Sequence, residues 1–146
     1  MNQLKIPVSI EENFCNFFIK IDDQIIGNPD EWSVCGLMHV ELSKTIHRLR
    51  TNSLSKKENE NFEDVFKKIK SNYELTSRFS AIPLNNEIFD GEFSFIIQDN
   101  NGDNYLTWSN FNCNSINTIA IDKEFYIDQL LKVEHDIGTA IKNRSI

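Results

Sequence analysis

The side chains best equipped for chemistry in this chain are three histidines, three cysteines and several clustered carboxylates. His39 and His47 lie eight residues apart, whereas two zinc ligands on adjacent helical turns need a spacing of about four. No Cys-x-x-Cys pair accompanies them, and His135 stands far along the chain. Ser33 and Cys35 near His39 offer a nucleophile and a base, yet no nucleophile elbow or glycine-rich oxyanion loop surrounds them. The run Asp99-Asn100-Asn101-Gly102-Asp103 supplies oxygen ligands of the kind calcium takes. Its glycine falls at the fourth position, where the helix-loop-helix calcium loop has it at about the sixth, and the twelfth position is Asn110 instead of Glu. Asn-Gly is instead a hairpin signal, because both residues tolerate positive φ. Glu11-Glu12, Asp22-Asp23 and Asp30-Glu31 are adjacent acids, which a strand would point to opposite faces, so none is by itself a general acid and base pair. The five glycines are scattered and cradle no phosphate. The expectation is a non-enzyme: no catalytic residue, no metal site and no cofactor.

The elements that would position these residues follow from period. Phe17 to Ile21, the Asp22-Asp23 turn and Ile25-Ile26 read as a strand with a short return strand, closed by the turn formers Gly27-Asn28-Pro29-Asp30. Met38, Leu42, Ile46 and Leu49 recur at helical spacing, giving a helix over about Val34 to Arg50. A second helical stripe runs through Phe62, Val65, Phe66, Ile69 and Tyr73, with Glu63 to Lys67 and Asp64 to Lys68 spaced for i to i+4 pairs. Phe93, Phe95 and Ile97 alternate with Glu92, Ser94 and Ile96, turn at Asn100 to Asp103 and return through Tyr105 to Trp108. A third strand covers about Ile116 to Ile121, so the three form an antiparallel meander, open to joining the N-terminal hairpin in one sheet. Asp122 is placed to cap a last helix over about Lys123 to Asn143, with Ile127, Leu130, Leu131, Ile137 and Ile141 on its buried stripe. The fold class is α+β: a single domain over residues 1–146, with an antiparallel sheet packed by two central helices and a C-terminal helix.

A chain of 146 residues that is 40% hydrophobic is long enough for one sizeable core. Cys15, Cys35 and Cys113 are odd in number and lie close to Phe14, Val34 and Phe111, the pattern of reduced thiols in or near a core. No apolar run approaches membrane-spanning length, and the N-terminal residues carry no apolar signal core. A cytoplasmic address and no membrane partner are expected.

Charge is distributed unevenly. The net charge is -7, and between Ala81 and Asp122 there is no Lys or Arg, while Glu87, Asp90, Glu92, Asp99, Asp103 and Asp122 contribute six negative charges. The only basic stretch, Lys44 to Lys70, alternates in sign and reads as solvated helix faces. A nucleic-acid partner is disfavoured, since neutralising phosphates needs a basic excess. Aromatic residues interleave with the acids: Trp32 beside Asp30-Glu31, Phe89 beside Asp90, and Tyr105 and Trp108 after Asp99 and Asp103. Rings supply buried area and charges supply steering in protein interfaces. The candidate binding set is therefore Asp90, Glu92, Asp99, Asp103, Tyr105 and Trp108.

The strand-turn stretch Phe18-Ile19-Lys20-Ile21-Asp22-Asp23-Gln24-Ile25-Ile26-Gly27, the nearby Trp32 and the later Asn101-Gly102-Asp103-Asn104-Tyr105-Leu106-Thr107-Trp108-Ser109 resemble local features of the immunity proteins of bacterial polymorphic-toxin and contact-dependent growth inhibition systems. Small size, acidity and the order of elements extend the likeness along the chain. The resemblance implies binding to one cognate toxin domain, often a nuclease, at or beside its active site. It carries over no individual contact residue. A small-ligand-binding or self-associating α+β domain is the alternative, and the oligomeric state is open.

Overall fold

The computed structural model of the chain describes residues 3–110 and 115–144. The N-terminal third is built from two interleaved hairpins. In the first, β2 (Val8–Glu11) and β3 (Phe14–Phe17) turn at Glu12, which has a φ of 56°. In the second, β4 (Ile19–Ile21) and β5 (Gln24–Ile26) turn at Asp22, with a φ of 54°. A short polar side chain eases Asp into this left-handed region. The strand-turn-return expected between Phe17 and Ile26 is present, but Phe18 divides it between two sheets. β1 (Leu4–Lys5) pairs with β4, and β6 (Ser33–Val34) pairs with β3, all antiparallel.

Helix α1 (Cys35–Thr51) buries Met38, Leu42, Ile46 and Leu49, the stripe expected from their spacing. Val34 at its N-cap offers no side-chain acceptor. The Cys35 amide instead donates to the Asn13 carbonyl at 2.8 Å, tying the helix start to the first hairpin.

The second helical stripe is broken into two helices. α2 (Phe62–Lys70) starts from Asn61, whose side chain accepts from the Asp64 amide at 2.8 Å. α3 (Tyr73–Phe79) restarts from Asn72, whose side chain accepts from the Leu75 amide at 3.1 Å. Asn favours capping a new helix over continuing an old one, and Tyr73 consequently leaves the buried stripe and is 81% exposed.

The meander forms as read: β7 (Phe93–Gln98), β8 (Asn104–Ser109) and β9 (Asn117–Ala120) pair antiparallel in that order. At its turn, Asp99 Oδ1 accepts from the amides of Asn101 and Asp103, each at 2.9 Å, and Gly102 takes a φ of 88°. The run that superficially suggests a calcium loop thus closes a hairpin, as the Asn-Gly signal implies. The N-terminal strands do not join this sheet. They form their own three-stranded sheets, β1-β4-β5 and β2-β3-β6. The outer edge of β7 is met instead by Leu54 to Lys56, with the Gln98 amide donating to the Leu54 carbonyl at 2.7 Å, and by Ser80 and Ala81.

Asp122 caps α4 (Lys123–Arg144) as expected, accepting from the Phe125 amide at 3.1 Å. Gly138 lies where a Cβ would stand 3.2 Å from His39 Nε2, so α4 approaches α1 closely.

Two apolar clusters hold the α+β fold together. The larger joins Cys15, Phe17 and Ile19 from the first strands to Met38 and Leu42 of α1 and to Tyr126, Leu130 and Ile137 of α4. The smaller sets Val65, Phe66 and Ile69 of α2 against Phe95 and Ile97 of β7. The meander lies between them. Its register puts Phe95, Thr107 and Tyr105 on the α2 side, and Ile96, Leu106 and Trp108 on the opposite side. Both faces are covered, which is why Ser94 and Ile96 are buried along with Phe95 and Ile97.

Arg48 ties α1 to the chain before the meander. Its guanidinium donates to the carbonyls of Ser80 at 3.2 Å and Ile82 at 3.0 Å, and burial lowers its pKa. Cys15 and Cys35 are free, buried thiols, and Cys113 lies outside the described residues. Burial, together with the neighbouring Cys35, pushes the Cys15 thiol up to about 12.

Candidate functional site

The six residues singled out from the sequence do not form one patch. Trp108 is only 1% exposed and belongs to the larger core, so it presents no surface to a partner. Tyr105 faces the other side of β8 and packs on Phe62, with ring centroids 4.6 Å apart. Burial first, then the charges of Asp99 and Asp103, raise the pKa of its phenol. Asp99, Asp103 and Tyr105 therefore cluster at the β7–β8 hairpin. Asp90 and Glu92 sit at the other end of β7, a strand of six residues, which separates the two groups by on the order of 20 Å at ~3.3 Å per residue.

At that second end the acids line a cleft of about 930 Å³. Its walls are the loop from Gly27 to Glu31 and the segment from Asn85 to Glu92, with Asn110 closing one side. Glu31, Glu87, Asp90 and Glu92 line it, and no Lys or Arg does. Backbone conformation allows this close meeting of two loops. Gly27 has a φ of 104°, and a Cβ there would stand 2.9 Å from Phe89 Cε1, so only glycine lets the chain pass over that ring.

Hydrogen bonds fix the walls. Glu92 Oε1 accepts from the Gly27 amide at 3.1 Å, and its Oε2 accepts from Asn110 Nδ2 at 3.1 Å. Asn110 Nδ2 also donates to the Ile25 carbonyl at 2.8 Å, while the Asn28 amide donates to the Ile88 carbonyl at 2.7 Å. Asn16, buried beneath, donates to the carbonyls of Asn28 and Glu31. Asn86 donates to Ser33 Oγ at 2.9 Å and accepts from the Ile88 amide at 2.9 Å. Glu92 is thus committed to the scaffold, whereas Glu31, Glu87 and Asp90 are exposed and available. With no ion-pair partner among the described residues, these three carboxylates around a polar cleft produce a negative potential suited to a cationic group.

Of the six residues named from the sequence only Asp90 and Glu92 line this cleft, and Glu31, Glu87 and the asparagines that line it were not among them. Asn28 reads as a turn former in the sequence, but its meeting with Asn85, Asn86 and Asn110 is tertiary. Among the described residues no group of three or more His, Cys, Asp or Glu is arranged to hold a metal ion. None of their helices is long and apolar enough to cross a membrane. A second cleft, of about 940 Å³, opens between the edges of β1 and β9 and is lined in part by Leu4, Tyr105, Ile119, Ile121 and Phe125. No protein-family model matches this chain, and comparison with curated proteins and with solved structures likewise gives no match.

Proposed function

We propose that this chain is an immunity protein: it binds a cognate bacterial toxin domain, a basic one such as a nuclease, in the cytoplasm and keeps it inactive by occupation and not by catalysis. The observation that carries this reading is the cleft lined by Glu31, Glu87, Asp90 and Glu92 without a basic residue. A nuclease concentrates positive charge to hold phosphate, and an acidic partner is steered to it, with association rates up to about 10⁸ to 10⁹ M⁻¹s⁻¹ at low salt. The test is growth of a bacterial host expressing the toxin domain encoded beside this gene, with and without this chain, followed by co-purification. Rescue together with a stable complex is expected. A domain that stays toxic although the chain is soluble and folded would retire the reading.

Small-ligand binding is the second reading, favoured by the cleft between β1 and β9 with its apolar lining of Leu4, Ile119, Ile121 and Phe125. A ligand that binds only the folded state raises the melting temperature in proportion to its occupancy, so a thermal-shift screen tests it directly.

A further inference from the structure

We propose that the solvent-facing side of the β2-β3-β6 sheet, continued by the first turns of α1, is a docking surface for a protein segment that combines apolar anchors with a basic rim. Of the seven large apolar side chains exposed among the described residues, five lie there, Phe14, Trp32, Val34, Leu37 and Val40, while Tyr73 and Phe125 stand apart from it. Phe14 and Val34 are direct cross-strand partners, and so stand side by side on one face. Val34 caps α1, and Leu37 and Val40 follow at intervals of three, which continues the strip along one side of the helix. This side lies off the buried stripe of Met38, Leu42 and Ile46, so the helix core does not account for it. Leu37, at 66% exposure, projects most. Monomer surfaces scatter such residues singly; a contiguous patch marks an interaction site.

The rim identifies the occupant. Glu11 pairs directly with Phe14 across β2 and β3, Glu12 follows in the turn, and Asp30 and Glu31 precede Trp32. Of the cations beside it, Lys44 pairs with Glu41 at 3.5 Å, while Arg144 donates to the neutral Asn13 Oδ1 at 3.2 Å and keeps its charge, so the four carboxylates outweigh one uncompensated cation. A second copy of this chain docked about a twofold axis would bring this acidic rim against itself, which is unfavourable. A partner with Lys or Arg around an apolar centre satisfies both the rings and the carboxylates. Glu31 also lines the acidic cleft, so one partner can engage both. The proposal rests on the immunity reading only in taking that partner to be the toxin.

The test selects a phage-displayed library of random 12-residue peptides against the immobilised full chain and titrates the recovered peptide in solution. Peptides that join apolar residues to Lys or Arg are expected. Their affinity should fall at least about tenfold in Leu37→Ser and in Val40→Ser, the scale of an interface anchor, and should weaken in Glu11→Lys and with rising salt. Both apolar substitutions are at exposed positions, and circular dichroism confirms that each variant folds. The proposal is overturned if no peptide is enriched, if the recovered peptides lack basic residues, or if they bind Leu37→Ser unchanged. It is also overturned if sedimentation shows a wild-type dimer that Leu37→Ser dissolves. Growth rescue separates this inference from the toxin reading: absent rescue with intact peptide binding removes the toxin and sustains the docking face, whereas full rescue by Leu37→Ser together with unchanged peptide binding removes the face alone.

Discussion

Glu92 and Gly27, 65 residues apart in sequence, are joined by a 3.1 Å hydrogen bond from the Gly27 amide to Glu92 Oε1. This bond, with the one from Asn110 to the same carboxylate, couples the N-terminal hairpins to the meander and sets the shape of the acidic cleft. Glu92 thereby contributes position more than free charge.

Glu92→Ala leaves two half-buried donors without their acceptor. The expected loss is about 1–2 kcal/mol, the lower part of the range for bonds to a charged group because the site is partly solvated. Urea unfolding measures it, and an unchanged midpoint would refute the coupling.

Gly27→Ala meets both a left-handed backbone and the Phe89 ring. A cost of at least about 2 kcal/mol is expected. Adding Phe89→Leu to this variant should recover the steric share only, since the backbone strain at a φ of 104° persists.

Alkaline stability should depend on Cys15. Its folded pKa of about 12 lies above the ordinary 9.0, so the unfolded chain releases its proton first as pH rises. The stabilisation is whole below about pH 9 and is lost progressively towards pH 12, with a slope of up to about 1.4 kcal/mol per pH unit. Burial raises the pKa of Tyr126 as well, and this adds to the same decline. Cys15→Ala should flatten, not abolish, the fall of the urea midpoint between pH 9 and 11.

Trp108 is fully packed, but among the described residues its Nε1 has no hydrogen-bond partner. Trp108→Phe keeps most of the ring volume and removes that unsatisfied donor, so it should cost under about 2 kcal/mol. Trp108→Ala should cost about 3–5 kcal/mol. A loss in Trp108→Phe well above about 2 kcal/mol in thermal unfolding would mean that the indole N–H is satisfied in solution.

The two acidic ends of β7 should differ in steering. If the proposed toxin partner binds at the cleft, Glu87→Lys with Asp90→Lys should slow its association at least about tenfold at low salt and flatten its salt dependence. Asp103→Lys, at the far hairpin, should change it by less than about threefold. Stopped-flow mixing across ionic strengths distinguishes them, and equal effects would place the interface elsewhere.

Helices α1 and α4 and the meander were legible because their periods and punctuation are local: Met38 to Leu49 at helical spacing, Asn101-Gly102 between strands, Asp122 before a helix. The alternation of Leu4, Ile6, Val8 and Ile10 with Lys5, Pro7, Ser9 and Glu11 is equally local but has no place among the strands expected from the sequence, which therefore lack β1 and β2. The cap at Asn72 has no place in the helical stripe read from Phe62 to Tyr73, which therefore runs past the end of α2 and leaves α3 unread. The burial of Trp108 had no local signal. An aromatic next to acidic turns looks the same in sequence whether its strand face meets solvent or a helix, and here α4 and the N-terminal strands cover it. The apolar positions 34, 37 and 40 were present as a second stripe on α1, yet their exposure depends on what fails to pack over them.

The two apolar clusters also differ in how much chain each requires. The smaller cluster draws on Leu54, Phe62, Phe66, Phe95 and Ile116, all within one continuous stretch, whereas the larger needs Phe17 and Ile19 together with Leu130 and Ile137. Closing a long loop costs more entropy than closing a short one. During synthesis the α2–meander unit can thus assemble while α4 is still unmade. The N-terminal strands complete their core only with that last helix, so Phe17, Ile19 and Met38 stay uncovered in the interval, which is when the chain is most prone to aggregate.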